Sequence, residues 1–207
     1  MKIGVLAVQG DFAAHKRMLG RIGVQSVEVR TPADLKTVAG LIMPGGESTT
    51  MLKFLTEESL AEPIKAFARA GAPIFGTCAG AILLAEEVTG PAQPSLRLID
   101  ITVERNAYGR QVDSFVGEAE SELAGGALEA VFIRAPRIRR LGPGVETIAR
   151  VDGEPVLVRE GNIMAATFHP ELGGDQRVHR LFVEIVHANY HPLMEINNDE
   201  GLHVGRD

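Results

Sequence analysis

The sequence has a single cysteine among 207 residues. No internal disulfide can form, and a zinc site built from several thiolates is excluded. No apolar run approaches the length needed to cross a bilayer. The start, Met1-Lys2-Ile3, enters a strand-like run directly, without the basic region, apolar region and cleavage site of a signal peptide. The cytoplasm is therefore the expected location, and no membrane contact is expected. Basic residues are not in excess: net charge is −6, which argues against a general affinity for nucleic acid or anionic lipid. Internal repeats and low-complexity stretches are also missing. What remains is an ordinary globular composition, 45% apolar and 23% charged, enough to bury a core. The expected organisation is one domain over residues 1–190, followed by a polar, glycine-containing tail over 191–207 that is expected to be mobile.

The first 85 residues alternate strand and helix. Ile3 to Val8 is a nearly continuous apolar run, as in a strand buried on both faces. Asp11 is placed to cap a helix from Phe12 to Leu19. Val24 to Val29 reads as a second strand, and Thr31-Pro32 opens a short helix. Leu41-Ile42-Met43 runs into Pro44-Gly45-Gly46-Glu47-Ser48, and a helical region follows to about Ala70, interrupted or restarted at Pro63. This alternation predicts an α/β fold, a three-layer sandwich around a mostly parallel central sheet. Ligands in such sheets bind beyond the carboxyl ends of the strands. Gln9-Gly10, Pro44 to Ser48 and Cys78 all fall there.

After Glu87 the texture changes. Leu96 to Glu104, Ser114 to Glu118, Ala127 to Arg134, Val145 to Val151 and Pro155 to Arg159 read as added, antiparallel strands separated by turn signals. Arg134 to Arg140, with four arginines, reads as a solvated strand edge. Asn162 to Thr167 returns to a buried-strand pattern, and a last helix runs from about Asp175 to Asn189, with Val178, Leu181, Phe182, Ile185 and Val186 on one face.

The chemistry centres on Phe75-Gly76-Thr77-Cys78-Ala79-Gly80. An apolar strand meets a glycine, the only thiol and a second glycine, and then an apolar helical pattern. Such an elbow lifts one side chain out of the fold, at a helix N-terminus that favours a thiolate. A cysteine hydrolase also needs a base, a group that orients the base, and donors for the oxyanion. His169 and Glu171 supply the first two, two residues apart in an extended loop and so on one side of it. The backbone N–H groups of Gly45, Gly46 and Ala79 are candidate donors. Taken singly, each feature has a plainer reading: a buried cysteine is more often a packing residue, and Gly-Gly is usually a turn. The other histidines, His15, His179, His187, His191 and His203, fit exposed helix or tail positions. A metal site from His179 and His187 lacks a third ligand.

Together, Gly76-Thr77-Cys78-Ala79-Gly80 and His169-Pro170-Glu171 resemble the class I, triad-type glutamine amidotransferases. Ala7-Val8-Gln9-Gly10, Pro44 to Thr50, Val131-Phe132-Ile133-Arg134-Ala135-Pro136 and Phe168 to Leu172 narrow the resemblance to the glutaminase subunits of pyridoxal 5′-phosphate synthase. It extends to about Asn189. The resemblance implies a flavodoxin-like amidotransferase fold and hydrolysis of L-glutamine to glutamate and ammonia through a thioester on Cys78, with His169 as the proton shuttle and Glu171 as its orienting group. It implies substrate contacts from Gly46, Glu47, Ser48, Arg105, Ile133 and Arg134, an oxyanion hole at Gly46 and Ala79, and no cofactor or metal. It also implies a partner, a (β/α)₈ synthase subunit that takes up the ammonia to build the B6 vitamer. Two other readings stay open at this point: a peptidase or deglycase with an elbow cysteine, and a non-catalytic regulatory subunit that keeps the fold.

Overall fold

Four short apolar segments set the centre of the molecule: Ile3–Leu6 (β1), Gly40–Met43 (β3), Ile74–Thr77 (β4) and Ile163–Ala166 (β12), each buried at every position. Their side chains alternate between two cores, as the two-residue period of a strand requires. Ile3, Val5, Ile42, Phe75 and Met164 face one cluster; Leu6, Leu41, Met43, Ile74 and Ala165 face the other. The computed structural model that shows this describes residues 1–106 and 114–190. The expected tail, 191–207, lies outside the described residues.

Helices Phe12–Arg21 (α1) and Arg177–Asn189 (α6) cover the first face, contributing Leu19, Val178, Phe182 and Val186. Helices Pro32–Leu35 (α2), Ser48–Glu57 (α3), Ala61–Arg69 (α4) and Ala79–Leu84 (α5) cover the other, through Leu35, Met51, Leu55, Ile64 and Leu83. Thr31 and Asp34 form a reciprocal cap on α2, with Pro32 at its first position. The long helical region breaks at Ser59, which has φ 53°, and Pro63 sits in the first turn of α4, where a proline is tolerated.

Among the described residues the main sheet has nine strands, in the order β2-β1-β3-β4-β12-β11-β10-β7-β8, with β2 at Ser26–Val29. The pairings from β2 to β12 are parallel. Beyond β12, the strands Glu154–Glu160 (β11), Glu146–Val151 (β10), Phe115–Ser121 (β7) and Leu128–Phe132 (β8) all pair antiparallel. The sheet is therefore mixed, not mostly parallel: the added strands continue the central sheet and make up half of its pairings. Hairpin turns such as Asp152-Gly153, both at positive φ, permit that continuation without crossover helices.

A second sheet has the order β5-β6-β9, from Ala85–Thr89 (β5), Ile99–Glu104 (β6) and Arg137–Leu141 (β9). The arginine-rich segment is its edge strand. Arg139 pairs with Glu104 and Arg140 with Asp100, so the edge is charged. No helix among the described residues is long and apolar enough to cross a membrane.

The elbow depends on two glycines. A Cβ on Gly76 would lie 2.6 Å from the backbone of Gly80, and one on Gly80 would lie 2.0 Å from the Met43 carbonyl oxygen. Strand β4, helix α5 and the end of β3 therefore meet backbone to backbone. Gly80→Ala is expected to lower stability by about 2–3 kcal/mol, as overpacking against backbone does. A urea unfolding midpoint equal to that of the unsubstituted protein would contradict this packing.

Candidate active site

The β4–β12 pairing builds the site. Thr77 is in register with Ala166, and the Cys78 N–H donates to the Ala166 carbonyl at 2.8 Å. Cys78 and Thr167 thus leave the sheet side by side, and the distant cysteine and histidine segments converge. His169 is fixed by its own N–H, which donates to the Val131 carbonyl at 2.8 Å. Cys78 has φ 47°, a left-handed conformation that a non-glycine residue rarely adopts, as expected of a strained elbow. The imidazole of His169 pairs with the Cys78 side chain. On its other side, Nδ1 lies 2.7 Å from Oε1 of Glu171. The carboxylate is fully buried and the imidazole nearly so. Burial alone would push the His169 imidazole down; its hydrogen bonds to Cys78 and Glu171 outweigh burial and raise it to about 10.

In front of the thiol is a cleft of about 330 Å³. Its lining includes Gly46, Glu47, Ser48, Cys78, Arg105, Ile133, Arg134 and His169. All six residues expected to hold substrate are therefore at one cleft. Glu171 sits behind His169, and Ala79 is buried immediately after Cys78. Arg105 is largely buried and faces the Glu47 carboxylate at 3.6 Å. Arg134 is exposed at the rim, with φ 45°. The Ser48 hydroxyl donates to Gln93 Oε1 at 3.1 Å.

The glycine-rich loop is tied to the β1–α1 turn. The Gly45 carbonyl accepts the Asp11 N–H at 3.1 Å, and Gln9 Oε1 accepts the Glu47 N–H at 3.0 Å. Gly10, at φ 90°, allows this approach, since a Cβ there would lie 1.8 Å from the Gly45 oxygen.

Asp11 differs from its expected role. Its side chain does not cap α1; it is exposed at the cleft, with Oδ2 4.0 Å from His169 Nδ1. Among the described residues, Asp11, His169 and Glu171 form one group close enough for a shared ion, within 4.8 Å of one another. The His169–Glu171 hydrogen bond already joins two of these atoms, which is the geometry of a base and its orienting carboxylate. Asn106, Ile82 and Pro136 also line the cleft and were not expected. Asn106 is brought in just after β6, Pro136 ends the motif that follows β8, and Ile82 comes from α5, one turn beyond Cys78.

Two histidines are placed quite differently from the expectation. His15 and His179 are fully buried, not exposed, while His187 is exposed as expected. The signal was present: His15 shares the buried stripe of α1 with Met18 and Leu19, and His179 that of α6 with Phe182, Val183 and Val186. His191 and His203 lie outside the described residues.

An α/β sheet whose strand ends hold a thiol, an imidazole and a buried carboxylate in series has the architecture of the triad-type amidotransferases. Comparison with known proteins agrees. Residues 5–188 match the SNO glutamine amidotransferase family. The pyridoxal 5′-phosphate synthase subunit PdxT of Koribacter versatilis is 55% identical over 90% of this chain and 96% of that relative. The PdxT of Thermotoga maritima is 52% identical over 90% of this chain and 100% of that relative. A crystal structure of a glutamine amidotransferase, 49% identical, superposes with a TM-score of 0.85 over 89% of this chain and 98% of its own. The chain belongs to the SNO glutamine amidotransferase family.

The buried histidines give the fold an acid sensitivity. Burial pushes His179 down to about 4; burial, with His179 and His169 nearby, pushes His15 well below 6.5. Both are neutral when folded but take up protons when unfolded, near the ordinary value of 6.5. Their effect on stability is then constant above that value, and stability is lost progressively as pH falls below it. The thermal midpoint is expected to drop from about pH 6.5 to pH 4.5, and His179→Leu to drop less over the same interval. A flat profile in the unsubstituted protein would contradict this.

Proposed function

We propose that this chain is the glutaminase subunit of a pyridoxal 5′-phosphate synthase, hydrolysing L-glutamine and passing the ammonia to a synthase partner. Membership of the family supports the reaction class, and the series Cys78–His169–Glu171 at the cleft carries the assignment of roles. Residues 1–190 act as one amidotransferase domain on a flavodoxin-like scaffold, working in the cytoplasm.

The chemistry follows from the geometry. The Cys78 sulfur attacks the side-chain amide carbon of glutamine, and the carbonyl electrons move onto oxygen. Backbone N–H groups at Gly46 and Ala79 bind that oxyanion. His169, held as an imidazolium, gives its proton to the departing nitrogen, and ammonia leaves as the C–N bond breaks. A thioester remains. The now neutral His169 takes a proton from water, the hydroxide adds to the thioester carbon, and the C–S bond breaks to release glutamate and the sulfur. Glu171 orients the ring and stabilises its cation without taking the proton. Arg105 suits the α-carboxylate of an amino-acid substrate; Glu47, Ser48, Ile133 and Arg134 complete the pocket. The reaction needs no cofactor or metal.

The partner is a (β/α)₈ synthase subunit. The ties from Gln9 and Asp11 to the loop at Gly45–Glu47 put the candidate oxyanion donor next to an exposed turn. A subunit docked on that turn could therefore set the loop's geometry. The peptidase and deglycase readings lack a reason for a carboxylate two residues after the base, and a non-catalytic role leaves the intact triad unexplained.

Glutamate release, measured with and without the barrel subunit, tests the proposal. Cys78→Ala should abolish it with the fold intact. His169→Asn should lower the rate by about 10²–10⁴-fold, the range for loss of a general acid–base. Glu171→Gln should be milder, since an amide oxygen still accepts from Nδ1. A Cys78→Ala protein with undiminished turnover in the presence of the barrel would end the assignment.

A further inference from the structure

Behind the triad, away from the cleft, lies a polar cluster that the hydrolytic steps do not use. His15 of α1, His179 of α6 and Thr77 of β4 are each fully buried. Thr77 immediately precedes the nucleophile. His15 Nδ1 is 3.0 Å from His179 Nε2, and His15 Nε2 is 3.1 Å from Thr77 Oγ1. The same Nε2 lies 3.4 Å from Oε2 of Glu171. Oε1 of that carboxylate is taken by His169, whereas Oε2 makes no hydrogen bond. A buried carboxylate oxygen without a donor is expensive. The group facing it therefore matters.

The tautomers follow from the unpaired atoms. His179 Nδ1 is buried without a partner. A bare lone pair there costs less than a stranded N–H, so the His179 proton sits on Nε2 and points at His15 Nδ1. His15 Nδ1 then accepts, and its own proton must be on Nε2. That proton points at Thr77 Oγ1, with the unpartnered Glu171 Oε2 3.4 Å from the same nitrogen. The opposite tautomer would turn a nitrogen lone pair toward the carboxylate and strand an N–H on His179. Phe75 packs edge-on against both rings and restricts their rotation.

We propose that His15 is a positioning residue for the reaction: its Nε2–H, fixed in that tautomer by His179, braces Oε2 of Glu171 so that Oε1 holds His169 against Cys78. The inference rests on the triad reading above. His15 serves as a neutral dipole, since burial and the neighbouring histidines disfavour its charged form. It therefore does not compete with His169 for the proton. The titratable groups around Glu171 and His15 are His169, Cys78, Asp11 and His179.

The test uses the single thiol. Iodoacetamide can alkylate only one cysteine, and intact mass follows its rate across pH without any partner subunit. In the unsubstituted protein the rate falls along an acid limb whose position reports how well His169 is held against Cys78. His15→Leu removes the brace and loosens the hold of Glu171 on His169. That limb should move up by about one pH unit. His15→Asn places its amide near the Nδ1 position, toward His179, and should shift the limb like Leu. His15→Gln places its amide near the Nε2 position, toward Glu171, and should leave the limb within about 0.3 units of the original. If His15→Leu fails to fold, the Gln–Asn contrast still decides. Thermal midpoints are recorded alongside, since a merely structural His15 would lower them without moving the limb. Equal limbs for Gln and Asn would overturn the proposal, as would an unmoved limb in all variants. A free-thiol profile in the unsubstituted protein would instead overturn the triad reading itself.

Discussion

The pairing of β4 with β12 is the constraint on which the site depends. Neither strand carries chemistry. Each is four residues long and buried throughout, yet their parallel register places the residues that follow them side by side. The Cys78 N–H to Ala166 carbonyl bond extends that register one step past the strand and commits the thiol to the cleft. The strain of the elbow, at φ 47°, is held by backbone-to-backbone packing of Gly76, Gly80 and Met43. The loop that lines the cleft is anchored to the first turn of the chain rather than to the sheet. One part of the site thus comes from the sheet and the other from the loop.

His169 also stands between two environments. On the cleft side are exposed polar groups, Asp11, Glu47 and Arg134. On the far side, Glu171 is enclosed with His15, His179 and Thr77 under α1 and α6. A carboxylate so placed acts almost entirely through the imidazole it touches. This accounts for the direction of the two effects on histidine. His169 is raised because its charged partners outweigh burial; His15 and His179 are lowered because burial is unopposed. The same residue type is thus pushed in opposite directions at neighbouring positions.

Much of this was legible in the sequence. The apolar runs at Ile3, Leu41, Ile74 and Ile163 announced the buried strands, and the glycines around Cys78 announced the elbow. The grouping of Cys78, His169 and Glu171 was readable because each sits in a short motif at a strand end. Three things were hidden. The antiparallel strands were expected, but not that they continue the central sheet, because strand periodicity does not say which edge a strand joins. Ala85–Thr89 continues straight from the helical pattern before it, without a turn residue to mark the change. His15 and His179 were read as surface residues by type, although their spacing put them on the buried stripes of α1 and α6. Polar residues on an apolar face are where composition misleads, because only the partner across the core shows what satisfies them.

The central claim is that the thiol and the carboxylate together hold His169 as a cation in the resting protein. The most direct measurement is a ¹⁵N titration of the His169 ring. Both ring nitrogens are expected to show the protonated signature at pH 8, with loss of the proton only near 10, and Cys78→Ala should bring that loss to lower pH. A neutral His169 at pH 8 in the unsubstituted protein, titrating near the ordinary value of 6.5, would contradict the account.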